Sequence, residues 1–317
     1  MKRYMIAAWL LLLALTTGCS IDQDYSLCAV DDNCVLLFKL LDGEGNYFPD
    51  KIDNVTVVLY DAQNNYILHR TVDRSALEIF SGVKLTVEPG DYRVVCWGNV
   101  SAASQLHGLN TAGTFTTAYL ETVSGVSGCA LYYGPRSVPK TKAAPGSTRS
   151  EDYTIYQVHI PNNGVTQKEV YFTRAHRAVK VYVQGYEIHP DYDNEHPAVQ
   201  LTNVPHRYDF FLNAASTCKH YQTGMSAYTI TRAETASFGQ INAPIADFAD
   251  NMIVNIRRSS DNTVLASVNL KQYVEDNASS IDDINEIEIL FKFDSQANVT
   301  ISMPTWKEVE VNPTGSH

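Results

Sequence analysis

Short runs in which apolar and polar residues alternate recur along most of the chain, separated by clusters of Gly, Pro, Asn and Asp. A period of two is the signature of half-buried β-strands. Val35 to Leu41 is a nearly continuous apolar run broken by Lys39, and it ends at Asp42-Gly43-Glu44-Gly45-Asn46. A run of that form predicts a strand buried on both sides or inserted between others. Val55 to Tyr60 and Tyr66 to Val72 flank the turn Asp61-Ala62-Gln63-Asn64-Asn65 and predict a hairpin. Leu85 and Val87, the turn Glu88-Pro89-Gly90-Asp91 and Tyr92 to Trp97 predict a second hairpin, because proline presets the turn and glycine accepts the positive φ that follows.

Residues 135–150 break this pattern. Pro135, Pro139, Pro145 and Gly146 stand among Arg136, Lys140, Lys142 and Arg149 with no acid between them, which predicts an exposed linker. Beyond it, strands are expected at Tyr153 to Ile160, Glu169 to Phe172, Ala178 to Gly185, Asp209 to Leu212, Met252 to Ile256, Val264 to Leu270, Ile287 to Phe293, Val299 to Met303 and Trp306 to Val311. No stretch has the periodicity of a long amphipathic helix. The expectation is an all-β chain of two packed β-sandwiches divided near residue 165, one over 35–165 and one over 166–317.

The first residues follow other rules. Lys2 and Arg3 precede the apolar run Met5 to Leu15, which is too short to span a bilayer, and Leu15-Thr16-Thr17-Gly18-Cys19 follows it. This predicts a lipoprotein signal over residues 1–18, cleavage before Cys19, and acylation of Cys19, with residues 19–34 as a polar tether. The alternative is ordinary secretion. Cleavage leaves 22 of the 24 basic residues against all 35 acidic ones, a net charge of −13, so nucleic acid is not an expected partner. Roughly 300 mature residues suffice for two domains. Of the six cysteines, Cys19 is the lipidation site and five remain, so at least one thiol has no partner within the chain. Cys28 and Cys34 are a possible disulfide closing a small loop, or both are free.

Catalytic and metal-binding patterns are not found. His159, His176, His189, His196, His206 and His220 cluster in sequence without zinc-ligand spacing, and surface or structural roles are expected. Asp191-Tyr192-Asp193-Asn194-Glu195 begins like a calcium loop, but His196 replaces the glycine of the sharp turn and Thr202 stands where a bidentate Glu belongs. There is no phosphate-binding glycine pattern and no GxSxG elbow. Cys218 is expected to be a small core residue. No cofactor is expected.

Several segments together resemble one family. Cys19, the tether, Cys34 to Leu40, Val55-Thr56-Val57-Val58-Leu59-Tyr60-Asp61, and above all Glu88-Pro89-Gly90-Asp91-Tyr92-Arg93-Val94-Val95-Cys96-Trp97-Gly98-Asn99 are similar to the FimB-like anchor subunits of Bacteroidetes type V fimbriae. Leu131-Tyr132-Tyr133-Gly134, the run Phe172 to Val181, and Trp306 with Val309-Glu310-Val311 fit as well. The resemblance implies two tandem transthyretin-like β-sandwiches, a non-enzymatic role holding a fimbrium to the outer membrane through acylated Cys19, and fimbrillin-like stalk subunits as partners. Stalk relatives polymerise by donor-strand exchange: an Arg-specific protease removes the first strand and a neighbour's C-terminal strand refills the groove. Here no Arg lies between Cys19 and Arg70, so a cut after the first strand has no substrate residue. A subunit that keeps its first strand cannot accept another, which implies a length-limiting role. Trp306, Val309 and Val311 are the expected contacts of a donated strand, or else part of an ordinary closing strand. A surface lipoprotein binding glycans through exposed Tyr and Trp is the alternative function.

Palmitate labelling is expected to be lost in Cys19→Ala and the protein to leave the membrane fraction. Label retained on that variant overturns the lipidation site.

Overall fold

The computed structural model describes residues 32–42, 45–46, 48–134, 156–186, 196–230, 234–244, 250–281 and 285–305. The first body begins with β1 (Cys34–Asp42), β2 (Gly45–Asn46), α1 (Phe48–Lys51), β3 (Val55–Asp61), β4 (Tyr66–Val72), α2 (Arg74–Ile79), β5 (Gly82–Leu85) and β6 (Gly90–Gly98). It continues through β7 (Ser104–His107), β8 (Tyr119–Thr122), β9 (Tyr132–Gly134), β10 (Tyr156–Ile160) and β11 (Thr166–Arg174). The second contains β12 (His176–Gln184), β13 (Ala198–Pro205), β14 (Arg207–Asp209), β15 (Cys218–Gly224), β16 (Ser226–Thr229) and β17 (Thr235–Pro244). It ends with β18 (Ile253–Arg257), β19 (Val264–Asn269), α3 (Leu270–Asp276), β20 (Glu286–Phe293) and β21 (Val299–Ser302).

One pairing scheme occurs twice. In the first body β1 pairs β11 in parallel and β5 antiparallel, while β3 lies between β4 and β6, and β6 carries β10. In the second, β12 pairs β20 in parallel and β17 antiparallel, β13 lies between β15 and β18, and β18 carries β19. The chain is an all-β sandwich protein, each body enclosing its own apolar core.

The β1 run is of the inserted kind. Cys34, Leu36, Phe38 and Leu40 are buried while Val35, Leu37 and Lys39 are half-buried, so one face alone is in the core. The division expected near residue 165 moves. Residues 166–174 form β11, which pairs with β1 and puts Val170 and Phe172 into the first core, and the first body runs through Arg174. The second hairpin is also corrected: β5 pairs with β1, whereas β6 pairs with β3, β9 and β10, so the strands on either side of residues 86–89 do not pair with each other. A turn signal has the same form whether the strands on either side pair or part. Of Asp209 to Leu212 only Asp209 ends a strand. The linker expected at 135–150 lies outside the described residues.

The turns repeat a chemistry. Asp61 Oδ1 accepts from the backbone N–H of Gln63 and Asn65 at 2.8 Å each, and its Oδ2 accepts from the Asn65 amide at 2.9 Å. Asp209 treats Phe211 and Asn213 in the same way, and Asp294 treats Gln296 and Asn298. The residue before each Asn takes positive φ: Asn64 at 71°, Leu212 at 63° and Ala297 at 61°. The aspartate supplies the acceptors that the reversing backbone lacks, so the turn tolerates a left-handed residue without glycine.

Phe38, Phe48 and Phe172 meet with ring centroids 5.5 to 5.6 Å apart, welding β1, α1 and β11 together. Phe38→Ala is expected to lower unfolding stability by about 3–5 kcal/mol, from lost burial plus the cavity left behind. Denaturant titration checks this, and a loss under about 1 kcal/mol would mean that the β1 slot is not part of the cooperative core.

Candidate functional site

The resemblance directs attention to two strand positions, the slot that β1 fills and the edge at β21. The slot is closed at its mouth. The Asn33 amide donates to the Val87 carbonyl at 2.7 Å and accepts from the Val87 N–H at 3.0 Å, while Asp32 N–H donates to Thr86 Oγ1 at 3.1 Å. Inside, β1 satisfies backbone groups of β5 on one side and β11 on the other. Across the outer face Lys39 pairs with Glu169 at 2.5 Å. Burial pushes the Cys34 thiol up to about 11, so it stays protonated and unreactive at neutral pH. Cys34 is a free thiol; Cys28, its possible disulfide partner, lies outside the described residues, as does Cys19.

At the other end, β21 pairs with β20 from Phe293↔Val299 to Leu290↔Ser302. Val299, Ile301 and Met303 pack against the second core, so this part of the C-terminal pattern is a closing strand. Trp306, Val309 and Val311 lie outside the described residues.

Between the two positions is a junction that the sequence pattern does not announce. Only Ala175 separates β11 from β12, and its N–H donates to the Leu131 carbonyl at 2.8 Å. The stretch from β8 to Gly128 leaves the first sandwich and runs along the second: Thr122 N–H donates to His206 O, Gly125 to His220 O and Asn242 to Ser127 O, at 2.7 to 2.9 Å. β14 pairs with β8, making a small sheet shared by both bodies. Gly128 has φ +79°, and a Cβ there would sit 1.9 Å from the Asn242 carbonyl oxygen. Beneath this sheet Tyr60, Trp97, Phe115 and Phe210 form a buried aromatic cluster. On top, Glu121 receives Lys219 at 3.1 Å, His206 at 3.4 Å, Arg207 at 3.5 Å and His107 at 3.6 Å. Desolvation pushes the Glu121 carboxyl up, but Lys219, Arg207 and His206 outweigh it and hold it below the usual carboxylate range.

The remaining expectations resolve into structural roles. His159 pairs with Asp91 at 2.8 Å, His196 meets Ser237 Oγ at 2.8 Å, and His206 Nδ1 meets the Thr217 carbonyl at 2.9 Å. His220 lies beside Ser124; His189 and Asp191 to Glu195 are outside the described residues. Among the described residues no three His, Cys, Asp or Glu side chains form a metal cluster. Cys218 is a correction: it is exposed, because it opens strand β15 at the sheet edge rather than entering the core. Every described aromatic side chain is buried or half-buried, so these residues present no exposed aromatic platform of the kind a glycan-binding surface uses.

Residues 17–312 match the profile of the Mfa2 family, described as fimbrillin-A associated anchor proteins Mfa1 and Mfa2. Solved structures share the fold at low identity. A candidate adhesin from Bacteroides ovatus aligns with TM-score 0.60 and 14% identity over 86% of this chain and 94% of its own. A candidate adhesin from Bacteroides thetaiotaomicron gives 0.59 and 14% over 86% and 96%. The fimbrial anchor protein Mfa2 of Porphyromonas gingivalis gives 0.55 and 12% over 84% and 94%. No curated protein sequence matches the chain.

His176 makes the junction sensitive to pH. Its Nδ1 lies 2.9 Å from the Leu131 carbonyl, and burial pushes the imidazole from 6.5 down to about 4, with the carbonyl opposing and Arg174 adding to the shift. As pH falls the unfolded chain takes up this proton first, so the contribution is complete above about 6.5 and is lost on the way to about 4, an expected cost of about 3 kcal/mol. Denaturant midpoints measured across that window should fall, and the His176→Asn variant should show a shallower decline. An equal slope in both proteins would assign the effect elsewhere.

Proposed function

The chain belongs to the Mfa2 family of fimbrillin-A associated anchor proteins, and we propose that it is the non-enzymatic base of a fimbrium. Acylated Cys19 holds it to the outer membrane, the two sandwiches stand on that tether, and fimbrillin-like stalk subunits join it. The recurrent pairing scheme supports reading both bodies as transthyretin-like.

The observation that carries this reading is the filled first slot. A stalk subunit that accepts a donor strand must have an empty groove; here β1 lies between β5 and β11, with four side chains in the core and Asn33 clamping its entry. With no arginine between Cys19 and Arg70, the protease that opens stalk subunits has no site to release it. The slot therefore cannot receive a neighbour, and growth ends at this subunit. Donation is the route left, and the segment beyond β21, containing Trp306, Val309 and Val311, is the strand to donate. Burial of Trp97 and the buried or half-buried state of the other described aromatics disfavour the glycan-binding alternative.

Deletion of Thr305 to His317 is expected to leave a folded, membrane-bound protein whose cells shed fimbriae or grow them without length control, as electron microscopy would record. Fimbriae still attached and of normal length would sink the donor assignment. Loss of the second sandwich's folding would mark the segment as part of its core.

A further inference from the structure

Each body is bounded by a parallel pair of its own terminal strands. The chain enters the first sandwich at the start of β1 and leaves it at the end of β11, and these two strands lie side by side from Cys34↔Thr166 to Leu40↔Phe172. It enters the second at the start of β12 and reaches the end of β20, and these are parallel from Ala178↔Glu286 to Gln184↔Lys292. Both ladders have seven register pairs. A lysine on the entering strand also meets glutamate on the leaving strand in both: Lys39 with Glu169, and Lys180 with Glu286 at 3.7 Å and Glu288 at 3.8 Å.

Tension drawn between entry and exit pulls the two strands of such a pair along their axes in opposite directions. The inter-strand hydrogen bonds lie across that direction, so the whole ladder is loaded at once and has to fail together. Pulling apart the open end of a hairpin loads one pair at a time. The geometry points to a mechanical function: we propose that each sandwich is a shear clamp and that the molecule carries tension from β1 to β20 without unfolding. This rests on the anchor reading for the source of the tension, while the clamp itself is a property of the isolated protein.

The connections keep the two clamps in series. Ala175 alone joins β11 to β12, and its bond to Leu131 leaves no slack between them. β21 is the exception, because it runs antiparallel to β20 over four register pairs, so tension arriving from Thr305 peels it before the β12/β20 ladder is loaded.

Single-molecule force spectroscopy on the unacylated chain from Ser20 to His317 tests this by changing only the attachment points. Pulled by its two ends, the protein should show one weak event for β21 and then two strong ones, one per sandwich. Handles on azidophenylalanine at positions 53 and 71 instead open the β3–β4 hairpin from its free end, and handles at 251 and 271 open β18–β19. End-to-end rupture forces at least about threefold above both hairpin geometries at one loading rate are expected, since forced unfolding follows the barrier along the pulled direction. Equal or lower end-to-end force, with either hairpin pair, overturns the clamp. That result would leave membrane attachment and fimbrial retention untouched, and those are read in cells.

Discussion

The structure depends on where one strand's hydrogen bonds go. Among the described residues β1 is the only partner that β5 has, and it is the parallel neighbour of β11, so its backbone satisfies two strands while its side chains fill the core. Without β1 the first sandwich would present two unpaired edges and an uncovered apolar trough, the condition that invites a foreign strand. With it the edges are satisfied and the trough is full. One strand, through its two ladders, thus decides whether the first sandwich is closed.

The second determinant is the rigidity of the connection between the bodies. The segment from Tyr119 to Gly128 pairs with β7 in the first half of the sequence and also bonds to the second, and Glu121 is held there by Lys219 and Arg207 of the second half and meets His107 of the first. Ion pairs this open to solvent contribute little each. The aromatic cluster of Tyr60, Trp97, Phe115 and Phe210 beneath them supplies the burial, and the polar layer fixes the register in which the bodies meet.

Much of this was legible in the sequence, and the parts that were not have physical reasons. β4, β12, β18, β19, β20 and β21 coincide with alternating apolar runs, because period-2 patterning reports a face packed on a core, and β1 and β3 with near-continuous apolar runs. β17 escapes the pattern: Thr235-Ala236-Ser237-Phe238-Gly239-Gln240-Ile241-Asn242-Ala243-Pro244 is rich in residues with poor strand propensity, and its pairing with β12 overrides them. The junction was invisible because β7, β8 and β14 are three or four residues long, below the length at which alternation means anything. The boundary near 165 failed for a related reason: a parallel partner contributed from the far end of a domain leaves no local mark. The Asp-x-x-x-Asn turns were in plain view as Asp61-Asn65, Asp209-Asn213 and Asp294-Asn298, and the recurrence of that spacing is the signal that would have placed all three.

The same parallel pair has a consequence for the order of events during biogenesis. Cys34 and Thr166 are neighbours in the sheet yet far apart in sequence, so the first sandwich is a domain of long-range contacts that cannot close until its last strand has been delivered. A chain emerging N-terminus first displays the apolar face of β1 long before β11 arrives to cover it. For that interval the strand is an uncovered apolar edge, so prompt closure of the sandwich is what limits mispairing between unfinished chains.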